Sequence, residues 1–225
     1  MEDIKATIPL PEDHQKINDY YEKLWLRKDL DVVYDEYADT YDHLNDLIAY
    51  HAHSHVSKQL LACFKDEEVA TKLILDVGSG TGRLGKSLTS FGFKELHALD
   101  LSKASLEEAQ KKNIYTSFYQ SAVTSEPING IQRDTYDAVV SSGCFIPNHI
   151  KVEAIEELIR ITKQGGFIVF TLRDPDFEMN YMNTLGRFMM EKKVELLAMN
   201  LIPYKREYTQ NYEQVYAYLI AFKVL

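Results

Sequence analysis

The sequence predicts an α/β fold built on a doubly wound, mainly parallel sheet of seven strands, its last strand antiparallel and its N-terminal helices forming a lid. Three observations carry this. Residues 72–85 read KLILDVGSGTGRLG, a continuous apolar run closed by an acid and followed by glycines at alternate positions, Gly78, Gly80 and Gly82. Continuous apolar runs mark strands buried on both faces. Beyond it, apolar runs and helical stretches alternate with short links, the pattern of βαβ units. Two long strand-like stretches then close the chain, VELLAMNLIPYKREY and YEQVYAYLIAFKVL.

The elements follow in order. Residues 1–11 read as loose, and Pro11-Glu12-Asp13 opens a helix to about Lys28 with Ile17, Tyr20, Tyr21, Leu24 and Trp25 on one face. DVVYDEYADTYDHL, 31–44, reads as one short helix with Val33, Tyr37, Tyr41 and Leu44 on its apolar face. A third runs from about Asp46 to Phe64. KLILDV is the first strand, and Arg83 to Ser90 the helix after it, stopped near Gly92. ELHALD, 95–100, is the second strand, and Ser102 caps a helix to Lys112. IYTSFYQS (114–121) and YDAVVSS (136–142) are strands three and four. A helix over 151–162 turns at Gly165-Gly166 into FIVFTLR, 167–173. After Asp174-Pro175 a helix from Phe177 to about Lys192 precedes the two closing strands, which should pair antiparallel across a polar turn near Thr209, Gln210 and Asn211. The chain then divides into a helical cap, 1–66, packed on a core, 67–225, in one compact domain overall.

Composition narrows the function. The 225 residues carry 34 acids against 25 Lys and Arg, a net charge of −9, and the basic runs Lys111-Lys112 and Lys192-Lys193 are too short to make a nucleic-acid patch. A small-molecule partner is expected, nucleic acid is not, and nothing resembles a membrane span or signal peptide. A cytoplasmic monomer or homodimer is the expectation. Cys63 and Cys144 make neither a disulfide framework nor a metal cluster. His51, His53 and His55 alternate on an expected helix with no acid cluster beside them, so no metal is expected.

A strand entering a glycine turn at a helix N-terminus offers free backbone N–H groups and close approach. A dinucleotide site wants Gly-x-Gly-x-x-Gly, but Arg83 stands where its third glycine would be. No Gly-Lys-Ser/Thr follows, so a P-loop fails too. Asp76 before the turn suits an ammonium group better than a pyrophosphate. Asp100, ending the second strand, can accept both hydroxyls of a ribose. The ligand that wants an acid for its ribose, backbone groups for an amino acid and no phosphate cradle is S-adenosylmethionine.

LDVGSGTG, ALDLS, YDAVVSSG and ITKQGGFIVFT, in this order and spacing, resemble the motifs of class I S-adenosylmethionine-dependent methyltransferases, and YDEYADTYD resembles the Tyr-Asp box before the core of many small-molecule members. From about residue 30 to 175 the chain looks most like the methyltransferase-like group named after the Williams–Beuren syndrome chromosome region. The resemblance implies a Rossmann-like methyltransferase fold. It implies that Gly78 and Gly80, with Ser79 between them, hold the methionine end while Gly82 keeps the turn tight. Asp76 would orient the loop or the ammonium through water, Asp100 would hold the ribose, and Leu101 would pack on adenine. Ser121 stands where an acid is frequent, which leaves adenine to Ser121, the Ala122 backbone and Val123. Ser141 would lie under the sulfonium, and Tyr37 and Tyr41 would cover the cofactor.

Methyl transfer is an in-line displacement that needs alignment and exclusion of water more than a catalytic group. His149 and Tyr41 are the candidate catalytic side chains. Phe145, Asn148, His149, Arg173 and Tyr181 are the candidate substrate contacts, with Phe177 and Met182 nearby. Aromatic walls suit a modest, partly apolar molecule or a cation. The reading is methylation of a small N-, O- or S-acceptor, with S-adenosyl-L-homocysteine as product. The alternatives are an RNA or protein methyltransferase, or a non-catalytic protein that binds S-adenosylmethionine as an assembly partner.

Overall fold

The computed structural model describes residues 11–173, 175–206 and 213–225. The expected loose start before Pro11, Asp174 and the turn at 209–211 lie outside the described residues, as do the side chains of Trp25 and Phe177. Seven strands form one sheet in the order β3-β2-β1-β4-β5-β7-β6. They are β1 Leu73–Val77, β2 Glu95–Asp100, β3 Ser117–Gln120, β4 Tyr136–Phe145, β5 Thr162–Leu172, β6 Val194–Arg206 and β7 Gln214–Val224. Strands β1 to β5 pair in parallel, while β7 runs antiparallel to both β5 and β6. The two closing strands pair as expected, but β7 inserts between β5 and β6, so β6 is the edge.

Helices cover both faces. On one lie α4 Ala52–Leu61, α5 Arg83–Ser90 and α6 Lys103–Lys111, where Val56, Leu60, Leu84, Leu88, Leu106 and Ala109 pack on Ile74, Ala98, Val140 and Val169. On the other lie α7 Ala154–Ile161 and α8 Pro175–Met190, with Ile155, Leu158, Leu185 and Phe188 against Val139, Ile168 and Phe222. Both faces being buried is why the strands read as unbroken apolar runs.

The N-terminal segment differs from its sequence reading in two places. The single helix over 31–44 is two, α2 Leu30–Tyr37 and α3 Tyr41–Leu47, after α1 Pro11–Leu26. The break spans Ala38 to Thr40. The helix expected from Asp46 starts only at Ala52, because Ala49 takes a positive φ of 51° and turns the chain. His51 therefore precedes α4 instead of sharing a helical face with His55. Helices α1 to α3 share their own core, Ile17, Tyr20, Val33, Tyr37, Leu44 and Leu47, which extends onto Tyr204 and Ala217 of β6 and β7. Two backbone bonds join this cap to the edge strand, His51 N to Tyr204 O at 3.1 Å and Arg206 N to Ile48 O at 2.7 Å.

Candidate active site

Strand order reverses beside β1, which lies between β2 and β4. Ligands of open parallel sheets bind at such a point, beyond the carboxyl ends of the strands. A cavity of about 280 Å³ opens there, lined among others by Gly78, Gly80, Asp100, Leu101, Ser121, Ala122, Val123, Ser142, Cys144 and Asn148.

The glycine turn shapes its floor. Gly78, Gly80 and Gly82 have φ of 66°, 51° and 90°, all in the left-handed region that favours glycine. A Cβ on Gly78 would overlap the Cys144 sulfur, whereas one on Gly80 would meet nothing within 4 Å, because it points into the cavity. Gly78 N and Ser79 N both donate to the Leu99 carbonyl, at 2.8 and 3.0 Å. Gly80 N donates to Asp100 Oδ2 at 2.7 Å, and Ser102 N to Asp100 Oδ1 at 2.9 Å. The Asp100 carboxylate thus ties the ends of β1 and β2 together, and burial raises its pKa.

Beneath the turn Asp76 is fully buried. Its Oδ2 accepts from the Tyr115 hydroxyl at 2.6 Å, while its Oδ1 has no protein partner. Burial pushes its pKa up to about 7. Gly85 on α5 makes room for Tyr115, since a Cβ there would overlap the Tyr115 hydroxyl.

The cap is fastened over this site by two acids seven positions apart. Asp35 Oδ1 accepts from the Ser102 hydroxyl at 2.6 Å and from Ala104 N at 3.0 Å, at the N-terminus of α6, where an acid is favoured. Asp42 accepts from the Thr81 hydroxyl and from Lys112 Nζ, each at 2.6 Å. Arg83, where a dinucleotide site has glycine, reaches back to the Asp42 carbonyl at 3.0 Å and to Asp46 at 2.7 Å. The tyrosines preceding these acids, Tyr34 and Tyr41, both line the cavity.

A second cavity of about 260 Å³ adjoins the first, walled by Tyr20, Tyr21, Tyr50 and Tyr204 and by Arg173 and Lys205. Tyr34, Tyr41, Gly143 and His149 line both cavities and so form their junction. Gly143, with φ of 85°, lets the backbone pass there; a Cβ would come within 2.5 Å of the Tyr50 hydroxyl. His149 Nδ1 lies 2.8 Å from the Pro147 carbonyl, which can only accept, so Nδ1 carries the proton. Its Nε2, 2.7 Å from the Tyr34 hydroxyl, is then the acceptor of that bond. Burial lowers the His149 pKa and keeps the ring neutral.

Several expected site residues lie elsewhere. Tyr37 turns away from the cavity and donates to Asp19 of α1. Ser141 is buried and donates to the Val77 carbonyl at 2.8 Å; its neighbour Ser142 lines the cavity. Strand alternation explains the exchange, since successive side chains face opposite ways. Phe145, an expected substrate contact, ends β4 and packs on Phe170 and Tyr181 in the core. Tyr181 is buried too and donates to the Ile150 carbonyl, which anchors the loop that carries Asn148 and His149. Ser79 and Gly82 shape the turn without lining the cavity. Tyr34, Tyr50 and Tyr204 escaped the sequence reading, although Tyr34 opens the YDEYADTYD stretch. Among the described residues no group of His, Cys, Asp or Glu could hold a metal ion, and no helix is long and apolar enough to cross a membrane.

Residues 74–166 match the family described as methyltransferase domain. The strand order and the glycine turn agree with that match, which covers under half of the chain. Among individual relatives, human Methyltransferase-like protein 27 is 34% identical over 113 residues, 50% of this chain and 45% of that protein. The chain thus covers under half of that relative. The ubiquinone/menaquinone biosynthesis C-methyltransferase UbiE of Bartonella quintana is 25% identical over 199 residues, 85% of this chain and 72% of that one. Among solved structures, a chain in the complex between the Haloferax volcanii Trm112 methyltransferase activator and a methyltransferase aligns with a TM-score of 0.60 at 16% identity, covering 85% of this chain and 97% of that one. A Mesorhizobium loti S-adenosylmethionine-dependent methyltransferase aligns with a TM-score of 0.54 at 13% identity, covering 74% and 96%. These likenesses carry the fold. The residues present also fit S-adenosylmethionine: Gly78 and Gly80 on the cavity wall, open space where a Gly80 side chain would stand, and the Asp100 carboxylate on the same wall.

Proposed function

We propose that the protein transfers the methyl group of S-adenosylmethionine to a small molecule bound between the cap and the core. The observation that carries this is the pair of cavities meeting at Tyr34, Tyr41, Gly143 and His149. In this reading the cavity over the glycine turn is the cofactor site. Gly78 and Gly80 hold the methionine end, and Asp100 accepts from the ribose. Leu101, Ser121, Ala122 and Val123 surround the base. The second cavity takes the acceptor. When bound, S-adenosylmethionine supplies an electrophilic methyl whose leaving group is a neutral thioether.

The chain's own part is to orient the acceptor, exclude water and take a proton. Tyr34 and His149 suit the last task. An acceptor hydroxyl can give its proton to the Tyr34 oxygen as Tyr34 passes its own to His149 Nε2, which ends as an imidazolium. Tyr41, at the same junction, is the cover. Helices α1 to α3 act as the lid, held down by Asp35 and Asp42.

The net charge of −9 and the acceptor cavity of about 260 Å³ both favour a small molecule over a polynucleotide. Calorimetric titration with S-adenosylhomocysteine, followed by incubation with amines, phenols, thiols and carboxylic acids and mass detection of a methyl gain, tests the reading. Absence of cofactor binding would overturn it. So would labelling of RNA or protein extract while every small molecule stays unchanged.

A further inference from the structure

The charge of the acceptor cavity is opposite to that of the molecule. Acids outnumber Lys and Arg by 34 to 25 in the chain. Yet the described residues lining this cavity include Arg173 and Lys205 and no Asp or Glu. The remaining polar lining is hydroxyl, amide and imidazole, from tyrosines, Asn18, Asn45 and His149.

Arg173 sits where it can act on a ligand. It directly follows β5, and its backbone N–H donates to the Phe145 carbonyl at 3.1 Å, which fixes it against the end of β4. Its guanidinium lies 5.9 Å from the centre of the Tyr204 ring. Among the described residues no carboxylate lies within ion-pair distance of it. Lys205 lies 3.9 Å from the centre of the Tyr21 ring. These two ring faces, the places where a ligand cation would be held, are therefore covered by the protein's own cations. A cationic acceptor, which aromatic walls by themselves would suit, meets like charge here.

Both cations line only the second cavity, away from the cofactor side, whereas Tyr34 and His149 stand at the junction. Resting on the methyltransferase reading, we propose that the acceptor is a small, partly aromatic carboxylic acid. Its carboxylate is anchored by Arg173 at the far end, and its methylated atom lies at the Tyr34–His149 end. A planar guanidinium pairs with a carboxylate through two parallel hydrogen bonds, and burial among ring faces strengthens that pair relative to water.

Binding to the full chain saturated with S-adenosylhomocysteine decides this without turnover. The probes are benzoate, benzamide, benzylamine and phenyl phosphate, titrated by calorimetry into the wild type and into Arg173→Met, which keeps the side-chain bulk. Benzoate should bind at least about tenfold tighter than benzamide, with benzylamine weakest. Arg173→Met should erase that preference while the affinity for S-adenosylhomocysteine stays the same. Benzamide or benzylamine matching benzoate, phenyl phosphate exceeding it, no benzoate binding up to about 10 mM, or a preference that survives Arg173→Met would each overturn the proposal. If S-adenosylhomocysteine itself fails to bind, the methyltransferase reading falls, and the benzoate preference of the unliganded chain still decides the anion site.

Discussion

Asp42 in the cap accepts a hydrogen bond from the Thr81 hydroxyl in the glycine turn, at 2.6 Å. The same carboxylate takes Lys112 Nζ on its other oxygen. One acid thus joins three segments that are far apart in sequence. Burial alone would raise its pKa, and these partners bring it down instead. Because the carboxylate is partly exposed, the contribution is discounted to about 1 kcal/mol. Asp42→Ala is expected to weaken S-adenosylhomocysteine binding about fivefold by calorimetry, with Asp42→Asn in between. An unchanged affinity would show that the cap does not support the turn.

Asp100 makes a stronger prediction. It holds Gly80 N and Ser102 N, and lies on the cavity wall. Asp100→Ala loses both these bonds and the proposed ribose contact, so cofactor binding should fall by about 1–3 kcal/mol. Calorimetry at matched temperature reads this directly.

The glycines separate folding from binding. Gly78→Ala drives a methyl into the Cys144 sulfur, so little native protein is expected. Gly80→Ala finds open space and costs about 1–2 kcal/mol for its left-handed φ of 51°. It should fold with a lowered Tm, and its cofactor affinity should fall at least tenfold because its methyl occupies the cavity. A Gly80→Ala protein that binds normally would place the methionine end elsewhere.

Tyr34 and His149 predict a pH profile. Burial lowers the His149 pKa below its ordinary value of 6.5, so the ring is already neutral at pH 7. The acid limb of kcat/KM should therefore fall below pH 6.5, where His149 gains a proton and stops accepting. Tyr34→Phe should lower kcat by about 100-fold with a smaller change in KM. An acid limb that survives unchanged in His149→Asn would remove the pair from the reaction.

Asp76 predicts a stability profile. Its folded pKa, about 7, lies above its ordinary 3.8, so between those values the folded state binds more protons than the unfolded one. Stability from this group is full below about pH 4 and is lost as pH rises through 7. Asp76→Asn should flatten the decline in chemical-denaturation stability between pH 4 and 8, though not abolish it, since Asp100 shifts the same way.

Much of this was legible in the sequence. The strands from Leu73 onward are unbroken apolar runs because both faces are buried, and ELHALD and the Ser102 cap match the observed β2 and α6. The glycine turn and Asp100 stood out because positive φ and a strand-end acid are local requirements. The substrate side was harder to read. Phe145 and Tyr181 are aromatic and near the cleft in sequence, but side-chain direction along β4 and packing of α8 sent them to the core. The break in α2–α3 left Tyr37 facing α1, and placed Tyr34 against His149, 115 positions away.

Local periodicity and the glycine turn determined the sheet, its helical layers and the methyl donor, since these depend on which residues neighbour one another along the chain. Only the tertiary structure decided which tyrosines face the site, that Asp35 and Asp42 fasten the cap to α6 and to the turn, and that Arg173 enters a cavity with no acid among its described lining. Those facts depend on contacts between the cap, the loop after β4 and the edge strand β6. Such contacts are set by three-dimensional packing, and no spacing within any one segment encodes them.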